Sequence, residues 1–211
     1  MQFYDRVDAG QRLAKALEEY RGPDTIVLGL PRGGVIVAKQ VSEALGAQLD
    51  VILARKLGAP GNPEYAIGAI AEGGEPTMNK QVLAEYAIPQ SYIADQAATE
   101  RQEIERRVAL YRQGRPLPDL TDKTVILVDD GIATGYTMAA AIQAIKASKP
   151  KRFIVAVPVC ARESRLDLAP RVDRLICLYT PTPFFAVGAF YSRFDQVTDD
   201  EVRSALGTPE L

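Results

Sequence analysis

The chain has 211 residues, 47% of them apolar, enough for one domain that buries ~70% of its unfolded surface without disulfide staples. Lys plus Arg number 25 against 27 Asp plus Glu, a net charge of −2, which argues against bulk-charge binding of nucleic acid or a membrane surface and makes any anion site local. The absence of histidine removes Ser-His-Asp triads, Cys-His pairs and histidine-ligated metals.

Asp8 is placed to cap a first helix whose Leu13, Leu17 and Tyr20 fall at helical spacing. Residues 25–30 (TIVLGL) read as a buried strand, interrupted by Pro31-Arg32-Gly33-Gly34 and followed by a helix over 35–45 that Gly46 stops. Residues 49–54 form a second strand, and the Gly- and Pro-rich stretch 57–65 reads as a long mobile loop. A third strand is expected over 66–71, a weakly patterned segment over 75–89 and a long helix over 91–113. On that helix Glu103 sits one turn from Arg106 and Arg107, the pattern of a solvated, ion-paired face.

Residues 124–128 (TVILV) form another continuous apolar strand, then Asp129 to Thr137 make a polar loop that opens a helix over 138–147. Strands over 152–160 and 174–179, with a short helix over 163–168 between them, complete the set, and a last helix is expected over 199–206. Strands this uniformly apolar are buried on both faces, which predicts an α/β, doubly wound, mainly parallel sheet with helices on both faces. A single domain is expected over 1–211, with a core of about 25–180 and a small hood from the terminal segments 1–22 and 181–211. In that hood, residues 184–191 (FFAVGAFY) serve either as packing or as aromatic faces for a flat acceptor. Cys160 and Cys177 read as buried strand thiols of a reducing compartment. No run approaches the ~18 apolar residues of a membrane span, so a cytoplasmic protein is expected.

In a parallel sheet, ligands gather where strand ends turn through glycine loops into helix N-termini. The loop 131–137 offers two glycines, the Thr134 and Thr137 hydroxyls and the positive end of a helix, a cradle for one phosphate. Directly before it stand Asp129 and Asp130, which would repel that anion unless sugar hydroxyls or a divalent cation engage them. The loop has no Gly-Lys-Ser/Thr and the chain no GxGxxG, which sets aside triphosphate hydrolysis and dinucleotide binding.

Residues 125–137 (VILVDDGIATGYT) resemble the phosphoribosyl pyrophosphate (PRPP) motif of type I phosphoribosyltransferases, with Gly131 standing where that family more often has an aliphatic residue. Residues 29–34 (GLPRGG) are similar to its pyrophosphate loop, and 56–65 fall where the family has its flexible catalytic loop. The resemblance implies that Asp129 and Asp130 hold the ribose hydroxyls and reach Mg²⁺ indirectly, through ribose or water. It implies that Ala133, Thr134, Gly135, Tyr136 and Thr137 cradle the 5-phosphate and that Arg32, Gly33 and Gly34 contact pyrophosphate. Arg55 or Lys56 would reach the pyrophosphate or remain solvated; Glu64 and Tyr65 would close over substrate or lie on an ordinary surface loop. The implied activity is Mg²⁺-dependent transfer of the phosphoribosyl group to a nitrogen nucleophile, with a nucleobase expected, on a homodimer. The alternative is a regulatory protein that senses PRPP or a nucleotide without turnover. Members acting on 6-oxopurines place an aspartate where this chain has Ala133, which leaves either Glu64 as the base or an acceptor that is already anionic or nucleophilic.

Overall fold

The computed structural model describes residues 2–208, apart from the side chains of Pro63, Glu64, Lys80, Gln81 and Glu85. In chain order the elements are α1 (Arg6–Lys15), β1 (Thr25–Gly29), α2 (Gly33–Leu45), β2 (Gln48–Val51), β3 (Ala54–Ala59), β4 (Asn62–Ala71), β5 (Thr77–Met78), α3 (Lys80–Tyr86), α4 (Gln90–Arg112), β6 (Thr124–Val128), α5 (Tyr136–Ala147), β7 (Arg152–Val159), α6 (Arg162–Leu168), β8 (Arg174–Tyr179) and α7 (Asp199–Ala205).

A five-stranded parallel sheet runs in the order β2-β1-β6-β7-β8. Because side chains alternate across a strand, its apolar runs feed two cores. Leu28, Val125, Leu127, Val155 and Val157 pack under Met138, Ile142 and Ile145 of α5 on one face. Val27, Ile126, Val128, Ile154 and Ala156 pack under Leu13 of α1 and Val37 and Val41 of α2 on the other. The chain reverses direction in the order of strands between β1 and β6, which brings the loops after these two strands side by side.

Three expectations change. The cap of α1 is Asp5, whose carboxylate accepts from the Asp8 N–H; Asp8 lies inside the first turn and pairs with Arg12 instead. The stretch 57–65, expected as a mobile loop, is an antiparallel hairpin of β3 and β4 that turns at Pro60-Gly61. Residues 66–71 accordingly belong to a second, three-stranded sheet, β3-β4-β5, and not to the parallel one. One face of this sheet packs on α4 through Leu57, Ile67 and Ile70, and the other lays Ala69 and Ala71 on Ala140 of α5. The N-terminal segment divides between layers: Phe3 bridges to Tyr191, while α1 covers the sheet. Glu103 accepts from both Arg106 and Arg107, and the Arg106 hydrogen bond chiefly holds its carboxyl down to about 2. Cys160 is buried and Cys177 half-buried, both as free thiols. Among the described residues no helix is long and apolar enough to cross a membrane.

Candidate active site

The loop after β1 is stitched to β6 by the Leu30 N–H on the Val128 carbonyl at 2.9 Å. Its Pro31–Arg32 peptide is cis, and Arg32 caps α2. Gly33 and Gly34 then pass directly over the acid pair: a Cβ at Gly34 would lie 2.8 Å from the Asp129 Cα, and one at Gly33 would overlap the Asp130 carboxylate. The helix start and the β6 strand end approach this closely only because both positions are glycine.

Asp129 and Asp130 stand at the end of β6, half-buried and adjacent, with the Asp130 N–H donating to Asp129 Oδ1 at 2.8 Å. Burial, and then the charge of Asp130, push the Asp129 carboxyl well above the usual carboxylate range. Asp130 is also raised by burial, but Arg6 opposes the shift through its charge and its hydrogen bond. The Arg6 Nε donates to Asp130 Oδ2 at 2.7 Å, and the Tyr191 hydroxyl donates to the Asp130 carbonyl at 2.5 Å.

The next loop is fixed to β7 by the Ile132 N–H on the Val159 carbonyl and the Ala161 N–H on the Ile132 carbonyl. The Ser164 hydroxyl holds the Ala133 carbonyl at 2.5 Å, and Gly135, at φ 78°, caps α5. Asp129, residues 131–138 and Val187 line a cavity of about 170 Å³ here. Ala133, Thr134, Gly135, Tyr136 and Thr137 thus surround one helix N-terminus, an arrangement suited to an anion. The Tyr136 hydroxyl turns outward and accepts from Asn79 at 2.5 Å.

The hairpin separates its two basic residues. Arg55 pairs with Glu100 of α4 at 2.6 Å. Lys56 lies opposite Ala69, so it shares the hairpin face that packs on α5, beside the phosphate-type loop. Tyr65 is exposed and rests against Tyr86 with ring centroids 5.6 Å apart, while the side chain of Glu64 lies outside the described residues. Phe184, Phe190 and Tyr179 pack together, and Phe185 is exposed. Among the described residues no group of three His, Cys, Asp or Glu side chains is arranged to hold a metal ion.

Four neighbours of the site were not legible beforehand: Arg6, Tyr191, Val187 and Asp199. Asp199 accepts from the Tyr111 hydroxyl at 2.5 Å and lies 3.9 Å from the Arg32 guanidinium. All four come from terminal segments, where the sequence indicated two helices and the aromatic run 184–191 but no contact with the acid pair or Arg32.

The profile of the phosphoribosyl transferase domain matches residues 2–189 of the chain. Rv0571c of Mycobacterium tuberculosis strain H37Rv, named a phosphoribosyl transferase only provisionally, is 43% identical over 207 residues, covering 97% of this chain. Those residues are 46% of the relative's length, so the chain spans about half of it. The crystal structure of TT1426 from Thermus thermophilus is 45% identical and superposes with a TM-score of 0.82 over 98% of both chains. A hypoxanthine-guanine phosphoribosyltransferase from Bacillus anthracis, 14% identical, shares the fold with a TM-score of 0.50 over 88% of this chain and 83% of its own. With a family-model match over residues 2–189, the chain belongs to the phosphoribosyl transferase domain family.

Proposed function

We propose that this domain transfers the 5-phosphoribosyl group from PRPP to a nitrogen nucleophile, a nucleobase being the expected acceptor, and releases pyrophosphate. The observation that carries this reading is the meeting, at two adjacent strand ends, of an acid pair, a helix-capping anion loop and an arginine-glycine loop. This arrangement suits a ligand with hydroxyls between two anionic ends.

In this reading the 5-phosphate occupies the loop of Ala133, Thr134, Gly135, Tyr136 and Thr137. Asp129 and Asp130 bind the ribose hydroxyls, and Arg32, Gly33, Gly34 and Lys56 meet the pyrophosphate. As the anomeric bond breaks, positive charge develops on the sugar and negative charge on the leaving group; carboxylates and cations at opposite ends stabilise both. Mg²⁺ carried with PRPP would neutralise the departing pyrophosphate. One oxygen of Asp130 is already on Arg6, which fits contact of the acids with Mg²⁺ through ribose or water better than direct ligation by both. Glu64, on β4, is the proposed base toward the acceptor. The reading includes a homodimer in the cytoplasm, and sedimentation of the purified chain tests the first part.

One observation favours a second reading, sensing of PRPP or a nucleotide without turnover: the segment expected as a water-excluding lid belongs to a β-hairpin whose Leu57 and Ala59 are anchored in the core shared with α4. A panel of nucleobases and amines incubated with Mg²⁺ and PRPP separates the two. Acceptor-dependent release of pyrophosphate supports transfer; PRPP binding without release supports sensing.

A further inference from the structure

Arg6 belongs to the first turn of α1, yet its guanidinium makes three contacts with two distant parts of the chain, the loop after β6 and the segment 194–195. Its Nε donates to Asp130 Oδ2 at 2.7 Å, its Nη1 donates to the Asp195 carbonyl at 2.7 Å, and its plane lies 3.9 Å over the Phe194 ring. The two partners of the ion pair are 12% and 14% exposed, so neither charge is freely solvated. The space is reserved: a Cβ at Gly33 would sit 2.6 Å from the Arg6 Nε. A planar fork with several donors and a stackable face meets all of these contacts at once.

The acid pair needs such a partner. Adjacent carboxylates taken out of water resist ionising together, because burial and mutual repulsion both favour a proton on one of them. Holding ribose hydroxyls while the sugar turns cationic requires the charged form. The groups that face the pair are Arg6 from α1, Tyr191 from the hood, and the two aspartates themselves. Among these described groups Arg6 alone is cationic.

We propose that Arg6 is a positioning residue of the donor site, keeping the Asp130 carboxylate charged and fixed beside Asp129. This rests on the phosphoribosyl-transfer reading. It differs from a latch, in which Arg6 would merely occupy Asp130 until ribose displaced it. The two roles predict opposite effects on ligand affinity when the guanidinium is removed.

The test uses the full chain with Arg6→Gln, Arg6→Lys and the control Arg12→Gln, whose arginine pairs with Asp8 on the outside of the same helix. Three readouts are taken: carboxyl carbon NMR titration of the aspartates, the pH profile of kcat for pyrophosphate release, and calorimetric binding of ribose 5-phosphate. Arg6→Gln is expected to move the Asp130 titration to higher pH and to shift the acid limb of kcat with it. At neutral pH kcat should fall about tenfold, at the low end of the range for a lost direct contact, with KM changed less. Arg6→Lys should restore the titration and part of the rate, and Arg12→Gln should match the parent. An unchanged Asp130 titration, or tighter ribose 5-phosphate binding in Arg6→Gln, overturns the proposal. If Arg6→Gln does not fold, Arg6→Lys decides: a retained acid limb with reduced kcat supports positioning, and the parent's kcat refutes it. If the parent chain neither binds ribose 5-phosphate nor releases pyrophosphate, the transfer reading fails, while the aspartate titration still judges Arg6.

Discussion

Gly131 and Val187 share one volume: the Cβ that the glycine lacks would lie 2.5 Å from Val187 Cγ1 and 2.8 Å from Val159 Cγ1. This gives a physical reason for the one departure from the PRPP motif, since the apolar bulk more often carried at that position is supplied here by the hood. Gly131→Ala should therefore overpack the site and cost about 1–3 kcal/mol. For a chain of this size that is roughly 2–12 °C in Tm. Adding Val187→Ala should recover much of the loss in thermal unfolding; a double variant no more stable than Gly131→Ala would show that the two residues do not compete for the space.

Asp129 places activity and stability in opposition. Its carboxyl is raised above the ordinary value of 3.8 by burial first and by the charge of Asp130 second. Ionised Asp129 thus disfavours the folded state, an effect that is absent below pH 3.8 and complete once the pH exceeds the folded-state value. Asp129→Asn keeps an acceptor for the Asp130 N–H and should raise Tm at pH 7 by roughly 2–8 °C, the range for relieving about 1–2 kcal/mol. The gain should vanish near pH 3.5, roughly where the parent carboxylate protonates in both states. The same variant should lose about 10- to 1000-fold in kcat for pyrophosphate release. A variant less stable at pH 7 would contradict the burial argument.

Local signals explain what the sequence disclosed. The strand over Thr124–Val128 and the loop behind it stood out because a run buried on both faces ends abruptly in two acids and two glycines. The hairpin was hidden for the opposite reason: β3 and β4 carry glycines, a proline and small alanines, because one of their faces lies flat on α5, so composition spoke for a loop. Asp8 was read as the cap of α1 because it stands just before the apolar repeat, whereas the helix begins one turn earlier, at Asp5. Arg6 reaches Asp130 across 124 positions, a distance at which neither periodicity nor spacing carries information.

Arg32 is the positive group of the loop after β1, and Asp199 of α7 stands 3.9 Å from it. Arg32→Ala should weaken pyrophosphate and PRPP binding about tenfold or more while leaving ribose 5-phosphate nearly unchanged, with lysine rescuing only part because it lacks the planar fork. Asp199→Asn should strengthen pyrophosphate binding by a few-fold, as a partly screened charge at this distance would. Calorimetry with the three ligands checks both, and equal weakening of all three by Arg32→Ala would remove the assignment.

Ala133 is exposed in the anion loop, its carbonyl tied to Ser164, and it brings no proton donor or acceptor side chain to an acceptor base. Hypoxanthine and guanine should be poor acceptors, and Glu64→Gln should cost about 10²- to 10⁴-fold with whichever acceptor is used. Steady-state rates with matched bases check this. Robust turnover of hypoxanthine, or a loss below about threefold in Glu64→Gln, would send the search for the base elsewhere.

Service of Asp129 and Asp130 in phosphoribosyl transfer from PRPP is tested most directly by pyrophosphate release from Mg²⁺-PRPP across a panel of nucleobases and amines. The assay is run in parallel on the parent chain and on Asp129→Asn/Asp130→Asn. Acceptor-dependent release by the parent is expected, with a loss of about 10- to 1000-fold or more in the double variant and the fold retained by circular dichroism. Equal release by both chains, or no release by the parent with any acceptor while PRPP binds, would contradict that role.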